Sequence, residues 1–587
     1  MKFTLAALLL LAGAIYAQYS MFPAVRGTKE MVAAANNFEV EAGYRLLQQG
    51  GNAVDSGVAA MLAATVTEQA RIGFGGEVPL MIKMKGQPAR VLSGIGTAPA
   101  KATVEYYRKR KQETWESNED FPPIPAIGIR GAILPGIPSA AIVALAESGT
   151  KSFAEVVAPA IDYADGFPLG DEFASYLRST GRVIQLWPSS REFFFPDGKV
   201  PVRGAIYRLT DLAKTFRELA AVEKKARGNR AKKLAAVHDY LYKGPFAQRI
   251  SSFNSANDGL IALEDLAKFR AEWDTPRTTA FAGYEVLKPG FFTQGPVMLQ
   301  ALNILAGYDL KALGHNSPEY LHAVIEAVKL AFADRDRYYG DPKFSQIPEA
   351  TLLSMEYAVG RRAQIDPAHA SFDHRPGVVS GFPALSLGNA TSRSADQDTT
   401  CVNVVDKWGN VFTATPSGAW LPSVIVPGTG FPLSSRLQSF VLTPHHANQL
   451  APGKRPRVTL SPTLVLKNGE PYLVMSTPGG DNQDQAMLQV LLNLLVFEMQ
   501  PQEAVEAPRF QTEHFFASFA HHEFQAGKVN LEERFPKATI DALKAKGHKI
   551  TVTGPWSNGS APTVILIKDG VLNGGADLRR GRFIFGR

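Results

Sequence analysis

The sequence predicts a fold of mixed α-helices and β-strands, of the α+β class. Three observations lead to this prediction. An alanine-rich helix is expected from Asn52 to about Thr67, a helix with a buried apolar face begins at Ser317, and alternating β-type runs begin at Thr399. We therefore expect helices to dominate the first part of the chain and β-hairpins the last part.

The expected helices carry recognisable start and stop signals. A first helix is predicted from Glu39 to Gly50, where a glycine pair ends it, and Asn52 opens the next helix. Ser317 can cap the later helix and Pro318 suits its first turn.

A glycine-rich loop, Gly-Phe-Gly-Gly at residues 73–76, precedes an apolar run. A phosphate-binding loop would continue into Gly-Lys-Ser/Thr, and that sequence does not follow here. We therefore do not interpret the loop as a phosphate site.

Two β-hairpins are expected after Thr399. Thr399, Cys401 and Asn403 would share one face of a strand, with Thr400 and its alternate neighbours on the other, and residues 411–415 would form the partner strand. A second hairpin is predicted from residues 462–466 and 472–476, followed by Pro-Gly-Gly at 478–480 and a helix over residues 485–495.

Composition places the chain among ordinary globular proteins. It has 587 residues, 45% of them hydrophobic and 20% charged, with a net charge of +7. This length corresponds to three or four domain equivalents or to one large compact fold. The one concentrated basic stretch, residues 224–233, is interpreted as a solvated helix face, so no nucleic-acid partner is expected.

Residues 1–17 are predicted to be a secretory signal. Lys2 precedes an apolar run to Ile15, and Ala17 offers a small residue before Gln18. A retained N-terminal anchor is the alternative. No other apolar run is long enough to cross a bilayer, so we expect a periplasmic or secreted protein with no integral membrane segment once the signal is removed. Cys401 is the only cysteine, which excludes an internal disulfide.

The bond between Asp398 and Thr399 is a candidate self-cleavage point. Residues 367–397 are rich in Gly, Pro and Ser and are expected to form a long exposed segment that leads into the strand. If the bond breaks, Thr399 gains a free α-amino group, which ordinarily titrates at about pH 7.7–8.0. That amine can act as the base that a threonine hydroxyl needs to become a nucleophile.

Other residues after Thr399 could complete an acyl-transfer site. Thr415 and Ser417 offer hydroxyls that could orient the nucleophile, and Gly479 and Gly480 offer backbone N–H groups for a developing oxyanion. Cys401 is an alternative nucleophile on the same strand face, but no histidine-based constellation surrounds it. The eleven histidines are scattered, so no metal or other cofactor is expected.

Several motifs follow one another along the chain: Gly-Gly-Asn-Ala-Val-Asp at 50–55, Tyr-Lys-Gly-Pro at 242–245, residues 294–305 and 320–342, Thr-Thr at 399–400 with Val-Val-Asp at 404–406, Ser-Pro-Thr at 461–463, Pro-Gly-Gly at 478–480 and Ala-Pro-Arg-Phe at 507–510. In these motifs and their order, the chain resembles the γ-glutamyltransferase (γ-glutamyl transpeptidase) family of N-terminal-nucleophile hydrolases over nearly everything after residue 17.

This resemblance implies a four-layer αββα fold and autocleavage into a large chain, residues 18–398, and a small chain, residues 399–587, which associate as a heterodimer. It also implies that Thr399 attacks a substrate amide and that the acyl-enzyme is released to water or to an amine. Thr415 and Ser417 match two threonines of the family, of which the second supports the nucleophile. Gly479 and Gly480 match the oxyanion pair.

The glutamyl-binding residues of the family are largely replaced. Ile95 stands in place of an arginine that grips the substrate carboxylate, Ala419 in place of an asparagine, and Ser439 in place of an aspartate. Thr459 retains one hydroxyl of a serine pair. Arg436 adds a charge that the family lacks there, and we hypothesise that it receives a carboxylate in a different pose.

These differences leave the substrate open. The expected substrate is a small-molecule amide or peptide, either a γ-glutamyl compound or another N-acyl compound. The alternative function is a catalytically inactive family member that acts as a secreted binding protein.

Overall fold

The computed structural model describes residues 20–112, 116, 122–382 and 399–587. The expected signal segment 1–17 and Asp398, on the carboxyl side of which cleavage is expected, lie outside the described residues.

Two seven-stranded antiparallel sheets form the centre of the molecule. Sheet 1 has the strand order Phe583–Gly586, Met31–Ala34, Val402–Val405, Val411–Ala414, Val78–Lys83, Arg90–Gly94 and Glu272–Asp274. Sheet 2 has the order Val25–Gly27, Val571–Ala576, Thr563–Lys568, Glu470–Ser476, Thr463–Lys467, Tyr284–Lys288 and Arg277–Phe281.

A layer of helices covers the outer face of each sheet. The apolar core outside sheet 1 includes the helices Asn37–Gln48, Ala53–Thr67, Ile137–Ser148, Phe153–Asp165, Asp171–Ile184, Pro188–Phe194, Thr210–Lys225, Arg230–Tyr242, Pro245–Ala256 and Leu263–Lys268. The core outside sheet 2 includes Pro296–Leu305, Leu310–Leu313, Pro318–Tyr338, Glu349–Leu352, Met355–Arg362, Gln483–Leu495, Pro501–Glu506 and Lys537–Ala545.

Smaller elements complete the described part. They are the helix Val104–Lys109, the 3₁₀ turns Ile129–Gly131, Arg436–Ser439, Gly480–Asn482 and Leu578–Arg580, the strand pairs Phe167–Pro168 with Ile206–Tyr207 and Val424–Val426 with Phe431–Leu433, and the three-stranded sheet Phe510–Thr512, Lys528–Glu532 and Lys549–Thr553.

A third apolar core fills the space between the two sheets. Met81 and Val91 of sheet 1 meet Leu464 and Val474 of sheet 2 there. Helix, sheet, sheet and helix therefore stack in that order, and the expected four-layer αββα fold is confirmed.

The capping signals in the sequence are used as expected. Asn52 and Asp55 form a reciprocal capping box at the start of the helix Ala53–Thr67. The Ser317 side chain accepts a hydrogen bond from the backbone N–H of Tyr320. The first predicted helix lies over Asn37–Gln48, within two residues of its expected bounds.

The predicted alternation after Thr399 is also confirmed. Val402 and Val404 face the helix layer outside sheet 1. Asn403 faces the opposite way, and its Nδ2 donates to Thr563 Oγ1 of sheet 2 at 2.8 Å. The odd-numbered residues of this strand therefore lie between the sheets.

The basic stretch 224–233 differs from the continuous helix expected there. The helix Thr210–Lys225 ends inside it and the helix Arg230–Tyr242 begins after a break. Arg230 donates to the backbone oxygens of Leu145 and Gly149, so part of the basic charge caps the helix Ile137–Ser148. Among the described residues, no helix combines the length and apolar character needed to cross a membrane.

Candidate active site

Thr399 lies at the end of sheet 1, on the face that looks toward sheet 2. It forms an antiparallel bridge with Ser417, and the two hydroxyl oxygens lie 3.3 Å apart. Thr399 is 2% exposed and Ser417 is fully buried. The structure therefore brings together the predicted nucleophile and the hydroxyl expected to support it.

Gln483 is a second partner of Thr399. It begins the helix Gln483–Leu495, which follows sheet 2, and its Nε2 donates to Thr399 Oγ1 at 3.3 Å. Sequence reasoning missed this residue. Its place three positions after Gly480, at the start of a helix, is the signal that could have indicated it.

Gly479 and Gly480 lie where the chain leaves the strand Glu470–Ser476 of sheet 2 and enters that helix. Both have positive φ, 116° and 54°. A Cβ atom at Gly479 would lie 2.2 Å from Ser560 Oγ, so glycine is required at this position. Within the described residues, no acceptor takes up the N–H of Gly479 or of Gly480.

A buried ion pair lies on the other side of Ser417. Arg436 Nη2 donates to Ser417 Oγ at 2.8 Å, and its Nε donates to a carboxylate oxygen of Glu77. The second carboxylate oxygen accepts a hydrogen bond from Ser434 Oγ at 2.7 Å. Arg436 and Glu77 are both fully buried, and the guanidinium lies 4.4 Å from the centre of the Trp420 ring.

The hypothesis that Arg436 receives a substrate carboxylate must take this pairing into account. Burial raises the pKa of the Glu77 carboxyl, and the adjacent guanidinium of Arg436 opposes that rise. A guanidinium paired with a carboxylate offers less net charge to a second carboxylate than an unpaired one.

The glycine-rich loop 73–76 makes this arrangement sterically possible. The backbone N–H groups of Glu77 and Ser417 each donate to the other's carbonyl oxygen at 2.9 Å. A Cβ atom at Gly76 would lie 2.2 Å from the Ser417 oxygen, and one at Gly75 would lie 1.8 Å from the Pro432 oxygen. The loop therefore serves close approach of backbone to backbone.

Thr415 does not share the position of Ser417. The register of the hairpin places it opposite Cys401, two residue pairs away from the pair of Thr399 and Ser417. Its Oγ1 has no hydrogen-bond partner among the described residues. The expectation that Thr415 helps to orient Thr399 is therefore not met by a direct contact.

The alternative nucleophile Cys401 is fully buried. Its Sγ lies 3.6 Å from Thr563 Oγ1, and burial raises the pKa of the thiol to about 11. A thiol with that pKa stays protonated near neutral pH and is a poor nucleophile. The structure therefore favours Thr399 over Cys401.

The remaining substrate-binding candidates are buried around this region. Ala419 has φ 52° and presents only a methyl group. The hydroxyls of Ser439 and Thr459 are buried without a hydrogen-bond partner in the described part of the chain. None of the three has a hydrogen bond to Thr399 among the bonds of the described residues.

Ile95 occupies the same cross-strand row as the candidate nucleophile. The row runs from Thr399 through Ser417 to Glu77, and the pairing of the next two strands continues it to Ile95. Its side chain is 1% exposed, belongs to the apolar core between the sheets and borders a cavity of about 250 Å³ that Arg455 also lines. An apolar side chain therefore lies at the position where the family resemblance leads one to expect an arginine.

Within the described residues, no group of three or more His, Cys, Asp or Glu side chains is arranged to hold a metal ion.

Fold and site together indicate a hydrolase. Its candidate nucleophile precedes a strand of sheet 1 and faces the space between the two sheets. The chain belongs to the gamma-glutamyltranspeptidase family, whose model matches residues 40–586. It is 32% identical over 554 residues to the acylase ACY 1 proenzyme of Pseudomonas sp. (strain SE83), covering 94% of this chain and 92% of the relative. It is 30% identical over 576 residues to the glutathione hydrolase proenzyme of Escherichia coli (strain K12), covering 95% and 92%.

A solved structure of similar fold supports this assignment. The cephalosporin acylase from Bacillus halodurans has a TM-score of 0.84 at 29% identity, and the match covers 98% of each chain. The predicted family, the αββα fold and the assignment to an enzyme class are thereby confirmed. The relatives are named as proenzymes, which agrees with a precursor that is processed.

Proposed function

We propose that this chain is a self-processing amidohydrolase in which Thr399 is the nucleophile. The observation that carries the proposal is the position of Thr399 Oγ1, within 3.3 Å of both Ser417 Oγ and Gln483 Nε2. Gly479 and Gly480 precede Gln483 at the same helix start, whose N-terminal end carries partial positive charge. A nucleophile and an oxyanion-binding element thus converge from the two sheets.

Processing would proceed by attack of Thr399 Oγ on the carbonyl carbon of Asp398. The C–N bond breaks, and the proton lost by the Thr399 hydroxyl is balanced by the proton that the nitrogen of Thr399 gains. Residue 398 is then held as an ester on the threonine oxygen. Water then hydrolyses the ester and leaves a carboxylate at residue 398 and a free amine at Thr399.

The two products, residues 18–398 and 399–587, would remain together as a heterodimer. In sheet 1, Met31–Ala34 pairs with Val402–Val405 and Val78–Lys83 pairs with Val411–Ala414. In sheet 2, Tyr284–Lys288 pairs with Thr463–Lys467. Each sheet therefore contains strands from both sides of the cleavage point, and separation would break both sheets.

The processed enzyme would use its new amine as a base. The amine takes the proton of Thr399 Oγ as the oxygen attacks the amide carbon of the substrate, and the N–H groups of Gly479 and Gly480 stabilise the tetrahedral oxyanion. When the tetrahedral intermediate collapses, the C–N bond breaks and the amine product leaves. The leaving nitrogen takes the proton from the α-amino group of Thr399. The acyl group remains as an ester on Thr399 until water or another amine removes it.

The acyl donor is proposed to be a small-molecule amide or peptide other than a standard γ-glutamyl compound. Ile95 and Ser439 replace both charged anchors of the family, and Arg436 is paired with Glu77. Each lost charge-assisted hydrogen bond is worth roughly 1.5–3 kcal/mol. γ-Glutamyl donors should therefore bind much more weakly than uncharged N-acyl amides.

We further propose that the mature protein is periplasmic or secreted, because residues 1–17 have the pattern of a cleaved signal. Edman sequencing of the large chain should then begin at Gln18. A large chain that begins at Met1 would contradict the cleaved signal.

The test of the proposed function compares wild type with Thr399→Ala on a gel and with a panel of anilides that carries γ-glutamyl, glutaryl and uncharged acyl groups. Wild type should separate into two chains and release aniline most rapidly from the donors without an α-amino-acid group, while Thr399→Ala stays intact and inactive. An intact, inactive wild type would contradict the proposal and favour the secreted binding protein.

A further inference from the structure

We propose that the Glu77–Arg436 ion pair is a positioning device for Ser417, which it holds against the hydroxyl of the nucleophile Thr399. This inference rests on the proposed function. Neither Glu77 nor Arg436 needs to touch substrate in this role. Both act through the Ser417 side chain.

The geometry of Arg436 suits this role because one planar group bonds two neighbours at once. Its Nε donates to Glu77 and its Nη2 donates to Ser417 Oγ at 2.8 Å. A serine side chain has three staggered rotamers, and a fixed donor on its oxygen selects one of them. The selected rotamer places Ser417 Oγ 3.3 Å from Thr399 Oγ1.

The directions of the hydrogen bonds follow from chemistry. A guanidinium has donors only, so Ser417 Oγ accepts from Arg436. The amide nitrogen of Gln483 also has donors only, so Thr399 Oγ1 accepts from it. Thr399 Oγ1 in turn donates its hydrogen to Ser417 Oγ.

Glu77 fixes the guanidinium in turn. Its two carboxylate oxygens are bound separately by Arg436 and by Ser434. A Cβ atom at Gly418 would lie 2.2 Å from one of these oxygens, so the absence of a side chain after Ser417 leaves space for the carboxylate. The carboxylate, the guanidinium and the serine are therefore located relative to one another.

A contribution to stability alone is weak grounds for a buried ion pair. Replacement of such a pair by apolar residues of similar size is often neutral or stabilising. The Arg436 guanidinium lies 4.4 Å and 5.4 Å from the ring centres of Trp420 and Phe519, so its surroundings are already partly apolar. The contact with Ser417 is what an apolar pair would not supply.

Direct contact with substrate is the competing role for Arg436. Its third nitrogen, Nη1, is buried and has no hydrogen-bond partner among the described residues. A substrate contact would act on KM and would depend on the charge of the acyl group. A positioning role would act on kcat and on processing, and it would disappear when Ser417 loses its hydroxyl.

The experiment is a double-mutant cycle in the full-length chain. It combines replacement of the Glu77–Arg436 ion pair with removal of the Ser417 hydroxyl. The pair is removed as Glu77→Leu with Arg436→Met, so that no single charge is left buried. Processing half-time is followed on gels, and kcat and KM are expressed per mole of cleaved enzyme. The same pair replacement is made in the Ser417→Ala background, where processing half-time is measured even if turnover is slow.

We expect the pair replacement to lower kcat and slow processing by about tenfold or more, with KM changed by less than about threefold. In the Ser417→Ala background the same replacement should change the processing half-time by less than about twofold. Arg436→Lys retains the positive charge but loses the planar group that donates to both Glu77 and Ser417. Its kcat and its rate of processing should be lowered as much as by the pair replacement. Glu326→Leu with Lys329→Met and Arg375→Met removes a buried ion cluster around the helix Pro318–Tyr338 without leaving an unpaired charge, and it should leave both readouts near wild type.

Equal slowing with and without the Ser417 hydroxyl would overturn the inference, as would full activity of Arg436→Lys or of the pair replacement. A raised KM at unchanged kcat would overturn it in favour of substrate contact. Activity that survives in Thr399→Ala would instead overturn the proposed function. The two failures are therefore distinguishable.

Discussion

Gln483 donates from Nε2 to Thr399 Oγ1 at 3.3 Å, although 84 residues separate the two along the chain. The strand after Thr399 belongs to sheet 1, and Gln483 begins a helix that follows sheet 2. The contact therefore exists only when the two sheets are correctly stacked. It links the αββα fold directly to the nucleophile.

Gln483→Leu should lower kcat about two- to tenfold, because a hydrogen bond worth about 0.5–1.5 kcal/mol that orients the nucleophile is lost. Gln489→Leu is the matched control, since Gln489 is buried on the same helix and donates to Phe510 rather than to Thr399. Steady-state kinetics per mole of cleaved enzyme measure the effect. A Gln483→Leu enzyme with wild-type kcat would show that the contact does not matter for catalysis.

Gly479→Ala should abolish or strongly reduce amidase activity and processing. The new methyl group would lie 2.2 Å from Ser560 Oγ at a φ of 116°, so the backbone that presents the two N–H groups must move. Gly469→Ala provides the control, because its φ is 80° and nothing lies within 4 Å of the added atom. If both variants lose activity equally, backbone strain rather than the site would be responsible.

Cys401→Ala should still be processed and should retain most of its activity. The pKa of the buried thiol is raised to about 11, so little thiolate exists near neutral pH. Treatment of the native wild type with iodoacetamide should likewise leave activity unchanged. Loss of activity after either change, with the melting temperature unaltered, would return Cys401 to consideration as the nucleophile.

His446 should make the stability of the protein depend on pH. Burial lowers the pKa of its imidazole to about 4, from an ordinary value of about 6.5. The unfolded chain therefore binds a proton that the folded chain does not, and stability present above pH 6.5 is lost as the pH falls toward 4. In the fold its Nδ1 accepts from the Asn448 N–H at 2.9 Å and cannot be protonated without breaking that bond.

His446→Gln should consequently lose less stability than wild type between pH 6.5 and pH 4. Urea unfolding at several pH values measures the slope. His369→Gln is the control, because that histidine is exposed and should leave the slope unchanged. Identical slopes for wild type and His446→Gln would contradict the assignment.

Local signals predicted much of the fold. The helix Ala53–Thr67 has the bounds that its Asn52 cap and alanine content indicated, and both hairpins after Thr399 are present. Successive side chains of a strand point to opposite faces of the sheet, so the residues that share a face could be identified from sequence alone. The αββα order was expected from the family resemblance rather than from periodicity.

The partners of the candidate nucleophile were only partly predictable. Ser417 follows from hairpin register, whereas Gln483 and Glu77 depend on the stacking of the sheets and on the glycine loop 73–76. The pairing of Arg436 with Glu77 was not predicted, because the two residues lie more than 350 positions apart in the sequence. Contacts of this kind have no local signal.

The central claim is that Thr399 becomes an N-terminal nucleophile and carries the acyl group. Intact mass spectrometry of wild type quenched during turnover of an active anilide tests it most directly. We expect a small chain with the mass of residues 399–587, a second species heavier by the acyl group, and fragment ions that place this group on Thr399. A small chain that begins elsewhere, or an acyl group on another residue, would contradict the account.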